Sequence, residues 1–376
     1  MRSLVVTPTP THPTNQGNRA RVHQIASALR RVGAVEVLYY ALDGLDERIV
    51  EAMREAWDMV HIVPAGAFRA QSRRPSHWGI DEWVSPQLMQ AVRFLAAATD
   101  YDVVVVNYVW CSWVLTAFDG AATLRVLDTH DAFGDRHQVT RAAGLPAHWF
   151  YTTREEEAVG LDRADVVLAI QPEEGRLFTA MTIARVEVIE YAPAPSFLRW
   201  RGTQRPLAVG YLGSGNPWNV ETLRDFDALL ARRAIPSGLF LALGGVTRKA
   251  VGLQVFQPGG EIDAVADAYA VLDIVVNPMQ GGTGLKIKTV EALAYGRVVL
   301  STRDGGLGLE AIHPDLLHAD ADALADRLLH LLAHPEQLPE LAAAMRAGYR
   351  AFHAGLEARL RALVDEWADA PVGKDT

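Results

Sequence analysis

Two successive β/α arrays, each expected to fold as a doubly wound parallel sheet, make up this chain of 376 residues. Three observations lead to that α/β expectation. Short β-branched runs alternate with longer helical patterns along the chain. The runs are nearly continuous in apolar character, as strands covered by helices on both faces must be. The alternation stops once, at Ala192-Pro193-Ala194-Pro195-Ser196, and then resumes.

In the first array the spacing predicts strands at Leu4–Thr7, Glu36–Tyr40, Met59–Val63, Val103–Asn107, Leu124–Leu127, Val166–Ile170 and Val186–Glu190. Between them, Arg21–Arg31, Pro86–Ala98 and Thr153–Ala164 carry helical periodicity. Pro193 and Pro195 resist both helix and central strand, so the segment reads as a linker. The second array predicts strands at Ala208–Leu212, Leu239–Leu243, Gln254–Phe256, Ile274–Asn277 and Val298–Ser301. Its helices fit Val220–Arg232, Asp263–Tyr269, Ile287–Tyr295 and Ala321–Ala333, and Glu336–Ala368 is strongly helical by its Ala, Leu and Arg content. The expected division is residues 1–192 as a first Rossmann-like domain, 193–205 as linker and 206–350 as a second Rossmann-like domain. Residues 351–376 are expected as a C-terminal helix and tail packing back towards the first domain, and the two domains are expected to face each other across a cleft.

Composition sets limits on function. Hydrophobic residues at 49% suffice for two cores, and a net charge of −9 argues against nucleic acid as a partner. The lone cysteine, Cys111, permits no intrachain disulfide, and beside Val109, Trp110 and Trp113 it reads as a buried, inert thiol. The apolar run at the N-terminus is too short for a signal peptide, and no stretch approaches the roughly 20 apolar residues of a spanning helix. A cytoplasmic location is expected, with the inner membrane surface open as a place of work.

The segment from Asn277 to Gly296 carries the strongest chemical signal. A strand ends at Asn277-Pro278, three glycines fall in the four positions 281–284, and a helix follows with Ile287, Val290 and Ala294 on its core face. Backbone without Cβ atoms can approach a ligand closely, and a helix N-terminus favours a phosphate. Lys286 and Lys288 stand in the same turn, where cations oppose the helix dipole unless a diphosphate occupies the site. Glu291, one turn on, suits ribose hydroxyls. The bland alternative is a structural loop capped by a surface Lys/Glu pair.

The run Gly284-Leu285-Lys286-Ile287-Lys288-Thr289-Val290-Glu291-Ala292-Leu293-Ala294-Tyr295-Gly296 resembles the C-terminal signature of family-4-type (group 1) retaining glycosyltransferases, with its KxxEALAxGxPVV core. The resemblance implies the GT-B fold, Glu291 at the donor ribose, Gly282, Thr283, Gly284 and Leu285 at the sugar or diphosphate, and Lys286 or Lys288 at the phosphates. Thr283 stands where many members place a second, sugar-contacting glutamate, and Gln280 is the nearby substitute. Gly213 and Asn219, in Gly213-Ser214-Gly215-Asn216-Pro217-Trp218-Asn219-Val220, resemble the family's GSxxxxPNV turn at the donor, and Thr302–Leu309 resembles its closing TxxGxxGL turn.

In the first half, the loop Pro8–Arg19 leads from strand to helix, and the resemblance makes Gly17 a donor-phosphate contact. Asn18 is an acceptor-side candidate, Arg19 at the helix start can reach either the phosphates or an anionic acceptor, and a mobile proline-rich surface loop is the alternative. No GxGxxG is present, which disfavours a dinucleotide site. A second polar cluster, Asp128-Thr129-His130-Asp131 with Arg136, follows the strand at Leu124–Leu127. His130 matches the family's central histidine and, with Asp131, is a candidate for acid–base work or acceptor positioning; Asp128 and Arg136 are acceptor-side candidates. Helix capping is the alternative for each acid. No further ligand completes a metal site. Glu155-Glu156-Glu157 reads as a solvated helix face, and His12, His23, His61 and His77 show no partner pattern. The Arg69–Arg74 cluster with Trp78 and Trp83 reads as a flexible amphipathic insertion, either a plain acceptor-side loop or a peripheral contact with a membrane bearing a lipid-linked acceptor.

The expected activity is transfer of a hexose-type sugar from a UDP- or GDP-type nucleotide sugar, the co-substrate, to a sugar-accepting molecule. Catalysis would rest on His130, Asp131 and Lys288, with no metal and no other cofactor. A sugar-nucleotide epimerase on the same scaffold and a non-catalytic nucleotide-sugar-binding partner subunit are the alternatives.

Overall fold

In the computed structural model the described residues are 1–369 except 43, 67, 69, 143, 145–148, 203–204, 262–264 and 282–284. The chain divides into two units. One comprises Met1–Tyr191 with the chain from Glu357 onwards, and the other comprises Ala192–Leu356.

The first unit runs β1 (Arg2–Thr7), α1 (Gly17–Arg30), β2 (Ala34–Ala41), α2 (Glu47–Ala56), β3 (Met59–Pro64), α3 (Pro86–Ala98) and β4 (Val103–Asn107). A 3-10 segment, Val109–Phe118, leads to β5 (Leu124–Asp128), then α4 (Arg136–Ala142), α5 (Arg154–Leu161), β6 (Val166–Ala169), α6 (Pro172–Thr179) and β7 (Arg185–Val188). The strands form one parallel sheet in the order β3-β2-β1-β4-β5-β6-β7. Its centre is the valine run Val103–Val106, every residue of which is fully buried. Helices begin where local chemistry satisfies their free N–H groups. Ser85 Oγ accepts from Leu88 N with Pro86 in the first turn of α3, and Thr153 caps α5.

The second unit contains β8 (Leu207–Leu212), α7 (Pro217–Leu230), β9 (Gly238–Leu243), β10 (Gln257–Pro258), α8 (Val265–Ala270), β11 (Ile274–Asn277), α9 (Ile287–Ala294), β12 (Val298–Thr302), β13 (Leu317–His318) and α10 (Ala321–Ala333). The last helix, α11 (Leu338–Asp369), begins in this unit, and its residues from Glu357 belong to the first, where Arg359 pairs with Glu190. The second sheet is also parallel, ordered β10-β9-β8-β11-β12-β13.

The α/β expectation, with two parallel doubly wound sheets, is borne out. One strand is displaced: Gln254–Phe256 is not a strand. The amides of Gln254, Val255 and Phe256 donate to the Asp227 carboxylate at 2.7, 2.9 and 2.8 Å, so they cannot join a ladder, and pairing with β9 starts only at Gln257. Both sheets reverse strand order at one place, between β1 and β4 and between β8 and β11. In doubly wound sheets the loops leaving the carboxyl ends of such strands diverge, which makes the reversal point the usual place for a ligand.

Candidate functional site

At the reversal point of the second sheet, the helices after β8 and β11 bring Asn219 and Lys288 together. The Lys288 ammonium donates to Asn219 Oδ1 and to the Tyr211 hydroxyl, each at 2.9 Å, and lies 4.3 Å from the centre of the Tyr211 ring. Asn219 is itself held, its Nδ2 donating to Ser214 O at 3.2 Å and Ser214 Oγ at 3.1 Å, which points Oδ1 at the lysine. Both partners are neutral, and among the described residues no carboxylate forms an ion pair with Lys288. Burial and the like charge of Lys286 push its pKa down to about 7. Lys288 is thus held by neutral dipoles, with Lys286 as a like-charged neighbour.

Glu291 lies one turn further along α9. Its Oε2 is 3.4 Å from the Tyr269 hydroxyl, which also donates to Lys288 O at 3.1 Å, and burial pushes its pKa up to about 7. Tyr269 stacks on Tyr295 with ring centres 5.0 Å apart.

The glycines after β8 and β9 have a structural reason. A Cβ on Gly244, whose φ is +84°, would stand 2.9 Å from Gly213 O, and one on Gly245 would stand 2.9 Å from Gly215 N. A Cβ on Gly213 would meet the Asn219 and Tyr211 side chains at 3.1–3.2 Å. The two loops therefore pack backbone against backbone, and Gly213 supports Asn219 and Tyr211 directly.

The loop entering α9 rests on Thr302–Leu309. Asn277 Nδ2 donates to Thr289 Oγ1 and Gly305 O at 2.9 and 2.8 Å, and Thr302 Oγ1 donates to Met279 O. Gly281 N donates to Asp304 Oδ2 at 2.6 Å. Gln280 is exposed, and Leu285 and Lys286 are half-buried at the helix start, with Lys286 in the N-cap position. Gly282, Thr283 and Gly284 lie outside the described residues.

In the first unit His130 follows β5 with a φ of +62°. Its Nε2 lies 2.8 Å from Asn107 Oδ1, and Asn107 Nδ2 donates to Val6 O at 3.1 Å. That second bond orients the amide and makes His130 Nε2 the protonated nitrogen. Tyr108, at φ +71°, stacks on the imidazole at 4.2 Å. Burial pushes the histidine down to about 4, against the favourable charge of Asp128. At neutral pH the ring is uncharged, and Nδ1 carries its lone pair. This suits the accepting of a hydrogen bond better than the storing of a proton.

Asp128 is engaged within the first unit. It is fully buried in a pair with the fully buried Arg21, whose Nε reaches both carboxylate oxygens at 3.2 and 3.1 Å and whose Nη2 reaches Oδ1 at 3.0 Å. Its Oδ2 stands 3.6 Å from His130 Nε2. A buried guanidinium requires a buried carboxylate. Asp131 pairs with Arg136 at 2.7 Å and accepts from Ala132 N at 3.0 Å. Gly17 opens α1, Asn18 Oδ1 accepts from Arg19 N at 2.9 Å, and Arg19 Nε is buried without a hydrogen-bond partner.

Three other expectations change. Glu157 is fully buried rather than solvated, accepting from Phe133 N and Gly134 N at 2.8 Å each, and burial raises its pKa to about 7. Helical periodicity places it on the inner face of α5, a signal the triple-glutamate run obscures. His61 has a partner, Glu36, at 2.9 Å. Trp78 and Trp83 do not form a loose amphipathic face: Trp83 packs on Trp78, Trp110, Trp149 and Phe150, and Trp78 N donates to Tyr151 O at 3.0 Å. Cys111 is fully buried, which raises its thiol pKa as expected of an inert cysteine. Sequence analysis missed Tyr211, Tyr269, Asn107, Tyr108, Arg21 and Asp304, since each matters through a partner distant in the chain.

Among the described residues no cluster of three His, Cys, Asp or Glu is placed to hold a metal ion, and no helix is long and apolar enough to cross a membrane.

Residues 223–334 match the family described as glycosyl transferases group 1. The structure is similar to sucrose-phosphate synthase from Thermosynechococcus elongatus, with a TM-score of 0.73, 19% identity, and 97% of this chain and 98% of that one covered. It is similar to Anabaena HepE in complex with UDP, with a TM-score of 0.67, 16% identity and coverage of 97% and 99%. A glycosyltransferase from Rickettsia africae matches with a TM-score of 0.67, 14% identity and coverage of 100% and 99%. No curated protein sequence matches the chain. The architecture is the GT-B fold. The stretch similar to the group 1 glycosyltransferases, residues 223–334, includes the Lys286–Gly296 segment.

Proposed function

We propose that this chain is a glycosyltransferase that moves a hexose from a UDP- or GDP-type nucleotide sugar to an acceptor hydroxyl, with retention of anomeric configuration. The observation that carries this reading is the Lys288 ammonium held by Tyr211 and Asn219 with Lys286 as its charged neighbour. In this reading the donor diphosphate is the anion that Lys288 receives. As the bond from the anomeric carbon to the diphosphate oxygen breaks, charge builds on the leaving group, and Lys288 and Lys286 stabilise it in a partly desolvated setting. Glu291 accepts hydrogen bonds from the ribose, its orientation set by Tyr269. The group 1 match supports this reading, as does the UDP bound by HepE.

His130 Nδ1 accepts a hydrogen bond from a sugar hydroxyl, and the Asp131–Arg136 pair orients the acceptor. The acceptor oxygen then bonds to the anomeric carbon, and its proton leaves with the diphosphate. The protein's own cations carry the charge stabilisation. The retaining outcome is supported by the likeness of the Lys286–Gly296 signature to retaining enzymes.

The test is isothermal titration of UDP- and GDP-sugars, alone and with candidate acceptors, on the parent protein and on Lys288→Ala and Glu291→Ala. Removing either group weakens donor binding at least tenfold. Donor affinity unchanged in both variants removes the site.

A further inference from the structure

We infer that the second unit carries a separate anion site at the amino-terminal edge of its sheet, lined by Arg346 and Arg350 beside Trp200 and reinforced by the charge of the buried Arg297 next to Gly296, for a small phosphorylated molecule.

The location follows from the chain. Arg297 stands immediately before β12, Asp273 immediately before β11 and Arg205 two residues before β8. All lie at the end of the strands opposite to Lys288, so this is not an extension of the donor site.

The chemistry is one of surplus positive charge beside the cavity. Arg297 is 1% exposed, yet only its Nη1 has a partner, Leu272 O at 3.0 Å; its Nε and Nη2 are buried without any. The Trp200 indole N–H and Arg205 Nε are likewise buried and unpartnered. Buried donors without acceptors are rare, and each is costly. The charges are equally one-sided. Arg346, Arg201 and Arg205 each act on Arg297 as like charges, and its one acidic neighbour, Asp273, is engaged by Arg205 at 2.6 Å and by Ala208 N at 2.8 Å. Burial and these neighbours push the Arg297 guanidinium down to about 10, an unusual position for a group that is ordinarily charged throughout.

There is also room. A cavity of about 330 Å³ is lined by Trp200, Pro339, Ala342, Ala343, Arg346 and Arg350, within the range of small-molecule sites at about 300–1,000 Å³. Arg346 is fixed in it by bonds to Gly296 O and Leu198 O, and Arg350 lies over the Phe197 ring at 4.6 Å. Guanidinium forks favour phosphate oxygens, which accept several donors at once. Trp200, Pro339 and the two alanines supply an apolar wall for the organic part of the molecule.

The test uses the full chain and thermal unfolding in inorganic phosphate and in a hexose phosphate, against chloride at matched ionic strength. Phosphate raises the midpoint by a few degrees in the parent and in Lys288→Ala, because the ligand binds only folded protein. Arg350→Gln loses most of the shift. Arg350 is exposed and forms no ion pair among the described residues, so this variant folds. Hydrogen exchange of the parent protein gives a second measure, in which phosphate slows exchange at residues 296–297 and 346–350. Equal midpoints in phosphate and chloride, a shift lost in Lys288→Ala, or a shift retained in Arg350→Gln each overturns the proposal.

Discussion

Lys288 and Asn219 lie 69 residues apart in the chain and meet at 2.9 Å at the point where the second sheet reverses its strand order. Asn219 thereby sets the position of the ammonium without itself carrying charge. Removing its side chain leaves Lys288 with the Tyr211 hydroxyl alone and frees the butyl stem to take other rotamers. Asn219→Ala is therefore expected to lower kcat/KM for the donor about 10- to 100-fold, the size of effect expected from one lost charge-assisted hydrogen bond. Asn219→Asp is expected to lower it at least as far, since the new carboxylate neutralises the cation. Steady-state kinetics with a nucleotide sugar measures both, and an Asn219→Asp enzyme as active as the parent contradicts the anion role of Lys288.

The pH dependence of donor binding follows from two shifted groups. Lys288 stands at about 7 and Glu291 at about 7 in the empty protein. A bound diphosphate favours the protonated lysine, so affinity is full below pH 7 and falls as pH rises above it. Ribose hydroxyls favour the ionised Glu291, so affinity falls as pH drops below 7. The two limbs together give a maximum near neutrality. Calorimetry with a nucleotide sugar, whose diphosphate diester does not titrate in this range, is expected to show a bell. Lys288→Arg is expected to flatten its alkaline limb and Glu291→Gln its acid limb. A pH-independent affinity between 6 and 8 contradicts the arrangement.

The Arg21–Asp128 pair makes a prediction about stability rather than chemistry. Both side chains are fully buried, and Arg21 also donates to Glu190 O at 2.9 Å. Removing one partner leaves the other charge uncompensated, which costs about 3–5 kcal/mol. Asp128→Ala is expected to lower the stability of the first unit by that amount in urea unfolding. The double variant Arg21→Met/Asp128→Leu is expected to recover much of the loss.

His130 offers a direct spectroscopic check. Its neutral Nε2–H form, held by Asn107, is expected to persist until pH falls towards 4, and the penalty for charging it adds to instability below the ordinary histidine pKa of 6.5. Stability therefore rises with pH from about 4 to 6.5 on account of this group, since the unfolded chain binds its proton more readily. Nitrogen-15 chemical shifts of the imidazole report the tautomer, and titration near 6.5 contradicts the buried geometry.

Much of this protein is legible in the order of its residues. Continuous valine-rich runs such as Val103–Val106 can only be strands buried on both faces, and Ser85-Pro86 can hardly fail to start a helix. Ile274–Gly296 likewise announces a strand, a glycine loop and a lysine-bearing helix through local spacing, because dipole, glycine freedom and helical periodicity all act over a few residues. What tertiary structure alone decides is which polar groups find one another. In sequence Asp128 reads as an acceptor-side or helix-capping acid and Glu157 as part of a solvated helix face. One is consumed by Arg21, 107 residues away, and the other by the amides of Phe133 and Gly134. Burial is a property of the packed sheet and its helices, and the free energy of a charge is set by what surrounds it in space, not by its neighbours along the chain.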